Sequence, residues 1–571
     1  MTNIVTLNLL GFIFLLKYKC CYGADFQVQT SYGTLQGSFY KHSSDSRSYC
    51  YFYGVPYAQI PTGDKRFTKP ESITQWTYRN AESDPSKCAQ AKQSSTSSSV
   101  QTIGNEDCLY LNIYTPSIPS SEKHANLGNP QYPVMIWFHD GDFSSGSADD
   151  IGRPDHLVHK DVVVVTVNYR LGVFGFLSFD DSTLPGNMGL KDQVMALKWI
   201  NSEISKFGGD AKKITVFGSG AGAASIHYLI LCSSCRNLFQ RAIMQSGSAY
   251  NPWALQRQPL QRAKEFLPKV DIKKFESDKT ATYLALLQGS TAITTEKILK
   301  ASADIFTTED KTRGLPPFVP VIEKVSSTDS IITQSIEEAT KKLEKPNLEI
   351  IIGFNKDEGI NFVNEKISVI NYNDEMLKLF LPKNDDIKNY DSKIKQALKL
   401  LHDQYSKLLD SSATENEKKK QFVDMVGDSH YIHGIHKTAQ NLSGLDIKTY
   451  FYRFSYGEYS PYKSSEYKSL TGVPHGVEQN YIFRPKDGFF GGKANYVPEN
   501  AREVQEHLLG MWSSFAKTGK PNTSGKETWT PLTKNNEKYL DITSKLEMKT
   551  IEEKQRMETW EKIIKLFENK A

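Results

Sequence analysis

One short stretch constrains the fold of this chain more than any other. Ile214-Thr-Val-Phe217 is apolar and partly β-branched, and it runs directly into Gly218-Ser-Gly-Ala-Gly222 and a further segment of small residues. A strand that turns sharply through glycines into a helix needs small residues on both sides, because the helix must lie close behind the turn. Three other short runs read as buried strands: Val134-Met-Ile-Trp-Phe138, Val162-Val-Val-Val-Thr-Val167 and Leu348-Glu-Ile-Ile-Ile352. Between the second and the glycine turn, Lys191 to Phe207 places Val194, Leu197, Ile200 and Ile204 on one helical face. Strands alternating with helices predict an α/β fold, a large mostly parallel sheet with helices on both faces and long insertions.

A chain of 571 residues carries a soft prior of about three or four average domains. Yet no internal repeat and no Pro/Ser linker divides it, so one domain over residues 25–565 is the economical expectation. Asp403 to Gln421 is polar and Lys-rich and reads as a solvated helix. With 69 basic against 65 acidic residues the formal charge is only +4. That balance predicts no nucleic-acid and no membrane-surface partner.

Val5 to Leu16 is mostly apolar and is followed by Lys17 and Lys19. The run is shorter than the roughly 20 residues a spanning helix needs. Small residues at Cys21 and Gly23 suit cleavage after Gly23 or Ala24, so residues 1–23 read as a secretory signal. No later stretch predicts a transmembrane anchor, and the expected location is extracellular. Without Cys20 and Cys21, Cys50, Cys88, Cys108, Cys232 and Cys235 remain. In an oxidising compartment that count suggests two disulfides and a spare thiol. Cys88 and Cys108 bracket the serine-rich run Gln93 to Val100, a loop by composition. Cys232-Ser-Ser-Cys235 fits a tight disulfide; no second CxxC follows to complete a zinc site.

The strand, Gly-x-x-x-Gly and small-residue helix have the form of a nucleophile elbow. Other motifs stand in order around it: Phe52-Tyr-Gly-Val-Pro-Tyr-Ala-Gln-Ile-Pro61, Glu106-Asp-Cys-Leu-Tyr-Leu-Asn112, Asn168-Tyr-Arg-Leu-Gly-Val-Phe-Gly-Phe-Leu177, Phe207-Gly-Gly-Asp210, Met244-Gln-Ser-Gly-Ser248 and Trp512-Ser-Ser-Phe-Ala516. Together they resemble the carboxylesterase/cholinesterase family of α/β-hydrolases from about Phe26 to Ile563. The resemblance implies the family's first disulfide, Cys88 to Cys108. It also implies a triad acid at Glu358, in Gly353-Phe-Asn-Lys-Asp-Glu358-Gly359, and a base at His475, in Gly472-Val-Pro-His475-Gly476.

The same resemblance shows where this chain departs. The family's elbow is Gly-Glu-Ser-Ala-Gly, so Gly220 stands at the nucleophile's position and Ser219 at that of a glutamate. The family's His-Gly-Gly-Gly-Phe becomes His139-Asp140-Gly141-Asp142-Phe143. Its oxyanion-hole donors would map to the backbone N–H groups of Gly141, Asp142 and Ala221. Asp142 is expected to resist a glycine conformation and to set its carboxylate beside the developing oxyanion. Loss of a triad nucleophile costs about a millionfold in rate, which outweighs the oxyanion change.

The expectation is a secreted carboxylesterase-like protein that lacks catalysis and acts by binding, with Glu358 and His475 kept as a satisfied polar pair. Its partner would be a small apolar or ester ligand in the old gorge, or a protein, as in adhesion relatives that lost the same serine. Those relatives usually carry a membrane span. The competing reading is an active carboxylic ester hydrolase with a non-standard nucleophile, for which Ser219 and Ser225 are the nearby hydroxyls. No cofactor is expected. Asp140-Gly-Asp142-Phe-Ser144 begins like a calcium loop, but Ser145 and Ile151 stand where that pattern wants Gly and Glu, so no metal is expected either. Asn441-Leu-Ser443 and Asn522-Thr-Ser524 are glycosylation sequons. Trp253 falls where the family lines its acyl pocket, and equally fits core packing. The choline-binding tryptophan has no counterpart between Cys88 and Cys108.

Overall fold

The computed structural model describes residues 26–41, 48–93, 100–118, 131–272, 275–344, 347–364, 372–383, 389–458, 471–484, 497–525 and 528–568. The expected leader, residues 1–23, and most of the serine-rich loop, 94–99, lie outside the described residues.

Eleven strands form one sheet: β1 (Ser38–Lys41), β2 (Ser48–Pro56), β3 (Tyr110–Thr115), β4 (Tyr132–Phe138), β5 (Val163–Val167), β6 (Gly209–Ser219), β7 (Arg241–Gln245), β8 (Glu349–Asn355), β9 (Lys448–Phe454), β10 (Lys538–Ile542) and β11 (Leu546–Thr550). Their spatial order is β1-β2-β3-β5-β4-β6-β7-β8-β9-β10-β11. Every pair from β5 through to β10 is parallel. The antiparallel pairs lie toward the two edges.

The parallel strands read as continuous apolar runs because they are covered on both faces. In β4, Val134, Ile136 and Phe138 belong to one core cluster, with residues of α1 (Met188–Glu203), α2 (Ala221–Leu231) and α5 (His433–Gly444). Met135 and Trp137 belong to the other, with Val504, Leu508, Trp512 and Phe515 of α6 (Glu499–Thr518). This is the expected α/β-hydrolase architecture.

Two expectations need adjustment. The helix predicted over Lys191–Phe207 is α1 followed by a separate 3-10 turn, Ile204–Phe207, which ends at Gly208 with φ +85°. Asp403–Gln421 is not one solvated helix: it holds the end of α3 (Tyr390–Gln404), a turn, and the start of α4 (Glu415–Gly427). The break is set by a capping box, Thr414 with Glu417, that starts a new helix where composition alone shows only charge. Beyond the lysines, Phe422, Val423, Met425 and Val426 of α4 are buried in a third cluster with α7 (Lys554–Phe567).

Strand order fixes where a site can form. From β4 the chain crosses to β5 on one side, and β6 then lies on the other side of β4. The crevice beyond the carboxyl ends of β4 and β6 is therefore a topological switch point, where ligands bind in open α/β sheets.

Candidate functional site

The turn between β6 and α2 keeps an unusual backbone. Gly220 has φ +50° and ψ −115°, a region that side chains rarely adopt. Its N–H donates to the Gln245 carbonyl (2.9 Å), and its own carbonyl accepts from the Ala224 N–H (2.9 Å). Gly222 explains the small flanking residues: a Cβ there would strike the Phe138 carbonyl at the end of β4. The strand-to-helix turn is thus pressed against the loop that leaves β4.

That loop carries the decisive side chain. A Cβ on residue 220 would fall under 3.0 Å from all three carboxylate atoms of Asp140. The Asp140 carboxylate lies over Gly220, in the volume a side chain at the turn would occupy. Its Oδ1 accepts the backbone N–H groups of Gly141 (2.7 Å) and Ala221 (2.9 Å). Its Oδ2 is 2.8 Å from His475 Nε2. On the opposite edge of the ring, His475 Nδ1 is 2.7 Å from Glu358 Oε2. Glu358 follows β8, and its Oε1 accepts the N–H of Asn355 (2.7 Å). The buried His139 donates from Nδ1 to the Asp140 carbonyl (2.7 Å) and stacks on Tyr169, so the aspartate's backbone is fixed as well.

These contacts form a file of three groups, with His475 between the carboxyl groups of Glu358 and Asp140. Burial works against a charged imidazole, but the charges and hydrogen bonds of Glu358 and Asp140 outweigh it and hold His475 well above its ordinary range. Burial likewise pushes Asp140 upward, yet His475 and the N–H groups of Ala221 and Gly141 prevail and lower it. Behind the file, Glu478 is fully buried and accepts from Gln245 (2.8 Å) and Asn355; burial, with Glu358 nearby, raises it. The Tyr431 ring lies 4.5 Å from His475. Trp253 continues the aromatic row, 5.9 Å from Tyr431 and 6.4 Å from Phe143. Its Nε1 donates to the His430 carbonyl (2.9 Å), within the π-helical turn Asp428–Ile432.

Gly220, Ala221, Gly141, Glu358 and His475 therefore come together at one crevice, around the Asp140 carboxylate. Asp142 does not behave as expected. It adopts φ +54°, a left-handed conformation that aspartate tolerates better than most residues, and it is exposed. The carboxylate that accepts the N–H groups of Gly141 and Ala221 belongs to Asp140, its neighbour but one. Ser219 is fully buried with no hydrogen-bond partner for its Oγ, and Ser225 accepts from Gln193 (3.0 Å); neither bonds to His475. Disulfides join Cys88 to Cys108 and Cys232 to Cys235, and Cys50 is buried outside both. Asn441 is half-buried in α5, with its Nδ2 donating to the Tyr250 hydroxyl (3.1 Å), whereas Asn522 is exposed after α6. Among the described residues, no group of three His, Cys, Asp or Glu is arranged to hold a metal.

A strained strand-to-helix turn at a switch point, with an acid and a histidine delivered from later loops, defines an α/β-hydrolase. The chain belongs to the carboxylesterase family, whose family model matches residues 24–560. It is 30% identical to esterase FE4 of Myzus persicae, over 96% of this chain and 94% of that protein. It is 32% identical to juvenile hormone esterase of Tribolium castaneum, over 88% and 85%, and 31% identical to venom carboxylesterase-6 of Apis mellifera, over 90% of each.

Sequence reasoning missed Asp140 as a contact of the histidine, and Tyr431 as its ring neighbour. The available signal for Asp140 was a pairing in the sequence: a glycine at the centre of the turn, and a carboxylate on the loop that packs against it.

Proposed function

We propose that this protein is a secreted member of the carboxylesterase family that has given up ester hydrolysis and works by what it binds. One observation supports the reading above the others. The carboxylate of Asp140 occupies the space above Gly220 and takes the N–H groups of Gly141 and Ala221. In an acyl-transfer enzyme that space holds the nucleophile, and those donors hold the oxyanion. Here one internal side chain takes up both places, and Gly220 offers no hydroxyl. The arrangement resembles a hydrolase holding its own product acid, with one oxygen in the hole and the other on the base. Ser219 and Ser225 are both buried away from His475, so no observation favours a rescued serine. The ligand is a small apolar or ester molecule, or a protein partner at the mouth of the site.

Secretion is supported by the two disulfides and by the apolar leader. No helix among the described residues is long and apolar enough to cross a membrane. The exposed Asn522 is the better placed glycan acceptor of the two sequons. The test is turnover of a small activated ester, with organophosphate labelling, on the purified natural chain. We expect neither turnover nor label; stoichiometric labelling of a serine with fast turnover overturns the reading.

A further inference from the structure

We infer that Arg153 and Arg484 form a binding site for a phosphate or sulfate group, separate from the crevice. Tyr40 of β1 pairs with Tyr49, Tyr51 with Tyr114, and Tyr114 with Val164 near the start of β5. The arginines meet at Tyr40, so this site belongs to the amino end of β5, whereas the crevice lies beyond the carboxyl ends of β4 and β6. It does not depend on how Gly220 and Asp140 are read.

Two segments from distant parts of the chain bring the arginines together. The Arg153 N–H donates to the Arg484 carbonyl (3.1 Å), and the Arg484 N–H donates to the Arg153 carbonyl (2.8 Å), an isolated antiparallel bridge. Directly opposed residues of such a bridge project their side chains on one face, where like charges repel. Tyr40 receives both. The Arg153 guanidinium lies 4.4 Å from its ring centre, and Arg484 Nη1 donates to its hydroxyl (2.6 Å). A fold that sets two guanidinium groups against one ring needs anions to offset them.

One anion is built in. Asp155 is buried; its Oδ2 accepts from Arg484 Nη1 (2.8 Å) and its Oδ1 from the Tyr49 hydroxyl (2.5 Å). Both of its oxygens are thus engaged away from Arg153. Among the described residues, no oxygen accepts from the Arg153 guanidinium, and Arg484 bonds only through Nη1. Neither side chain is sealed from solvent: Arg153 is half-buried, and Arg484 is 15% exposed. The donors choose the ligand class. A guanidinium fork takes two oxygens of a carboxylate or phosphate in its plane. A carboxylate is used up by one fork. A tetrahedral phosphate or sulfate has further oxygens for the second arginine, and its charge offsets the one that Asp155 leaves.

The probes are inorganic phosphate, inorganic sulfate and phenyl phosphate, each titrated into the full natural chain, Arg153→Gln and Arg153→Lys. Sodium chloride at matched ionic strength is the reference. Binding is read by calorimetry and by melting temperature, which a ligand of the folded state raises. The natural chain should bind a probe one to one and melt higher than in chloride. In Arg153→Gln the affinity should fall by roughly tenfold or more, and the melting shift should vanish. Arg153→Lys keeps the charge without the fork and should fall between. Binding of the inorganic ions identifies a free anion as sufficient; binding of phenyl phosphate alone identifies an ester of a larger molecule, and loss of either in Arg153→Gln supports the inference. Equal affinity in the natural chain and a folded Arg153→Gln overturns it. So does a natural chain that responds no more to the probes than to chloride. Where Arg153→Gln fails to fold, undiminished binding in Arg153→Lys overturns it.

Discussion

The elbow after β6 and the loop after β4 face the same crevice with opposite contents: the elbow brings no side chain, and the loop brings a carboxylate. At the elbow the backbone keeps its unusual geometry, φ +50° at Gly220, although the residue has no side chain to present. At the loop, Gly141 donates its N–H to the Asp140 carboxylate, which lies over the elbow. Position 220 has no side chain, and the Asp140 carboxylate fills the space that one would take. The backbone of the turn is set by the sheet and α2, which press Gly222 against the Phe138 carbonyl, while the contents of the crevice depend on the side chains at 140 and 220.

If the two regions changed as a pair, restoring only one should fail. Gly220→Ser alone places its Cβ against Asp140, and Asp140→Gly alone supplies no hydroxyl. We expect both single variants to be silent toward an activated ester. Asp140→Gly/Gly220→Ser should gain activity by several orders of magnitude, up to the about millionfold that a triad nucleophile is worth. In the double variant, His475 is released from Asp140, and Glu358 still orients it. Turnover and organophosphate labelling at position 220 measure the gain. Full activity in Gly220→Ser alone would show that Asp140 swings aside freely and that the two changes are independent.

Why the sequence reveals one half of this comparison and not the other is a matter of distance along the chain. The elbow is local: strand, glycines and small-residue helix are contiguous, so its geometry follows from propensity and sterics. The acid and base sit in motifs that also read locally, around Glu358 and His475. Asp140 meets partners 81 and 335 residues away, and nothing local distinguishes it from Asp142. The sequence therefore points to a charge at Asp142, where the family's motif puts a donor, rather than at the residue whose side chain turns inward. The sheet is legible because β4 and β5 are continuous apolar runs. The split of Asp403–Gln421 is not, because the Thr414–Glu417 capping box lies inside a stretch dominated by charge.

A stability measurement sharpens the comparison without relying on activity. Gly220→Ala combines backbone strain at a position suited to glycine, about 1–3 kcal/mol, with overpacking against Asp140, about 1–3 kcal/mol. We expect a loss of roughly 3 kcal/mol in denaturant unfolding. In the Asp140→Gly background the clash is gone, and only the strain should remain. A double-mutant cycle then yields a coupling energy equal to the overpacking part, about 1–3 kcal/mol. Simple additivity would mean that the carboxylate does not occupy the elbow in solution.

The smallest effect isolates charge from volume. Asp140→Asn keeps the shape and can still accept the N–H groups of Gly141 and Ala221, but it removes one of two carboxylates flanking His475. Losing one partner of a fully buried pair costs about 3–5 kcal/mol; Asp140 is partly exposed and its amide remains satisfied, so roughly 1–2 kcal/mol is expected near neutral pH. The pH dependence carries more information than the size. His475 is raised in the folded chain, so its contribution is fully present below the unfolded value of about 6.5 and fades as pH rises through the higher folded value. Asp140 is lowered, so its contribution is present above about 3.9 and fades as pH falls through the lower folded value. Removing Asp140 lets the folded His475 value slide back toward the ordinary one. The variant should therefore begin to lose melting temperature at a lower pH than the natural chain on the alkaline side. Toward strong acid the two curves should converge, as Asp140 protonates in the natural chain. Melting curves that stay parallel across the whole range would mean that Asp140 and His475 are neighbours without being electrostatic partners.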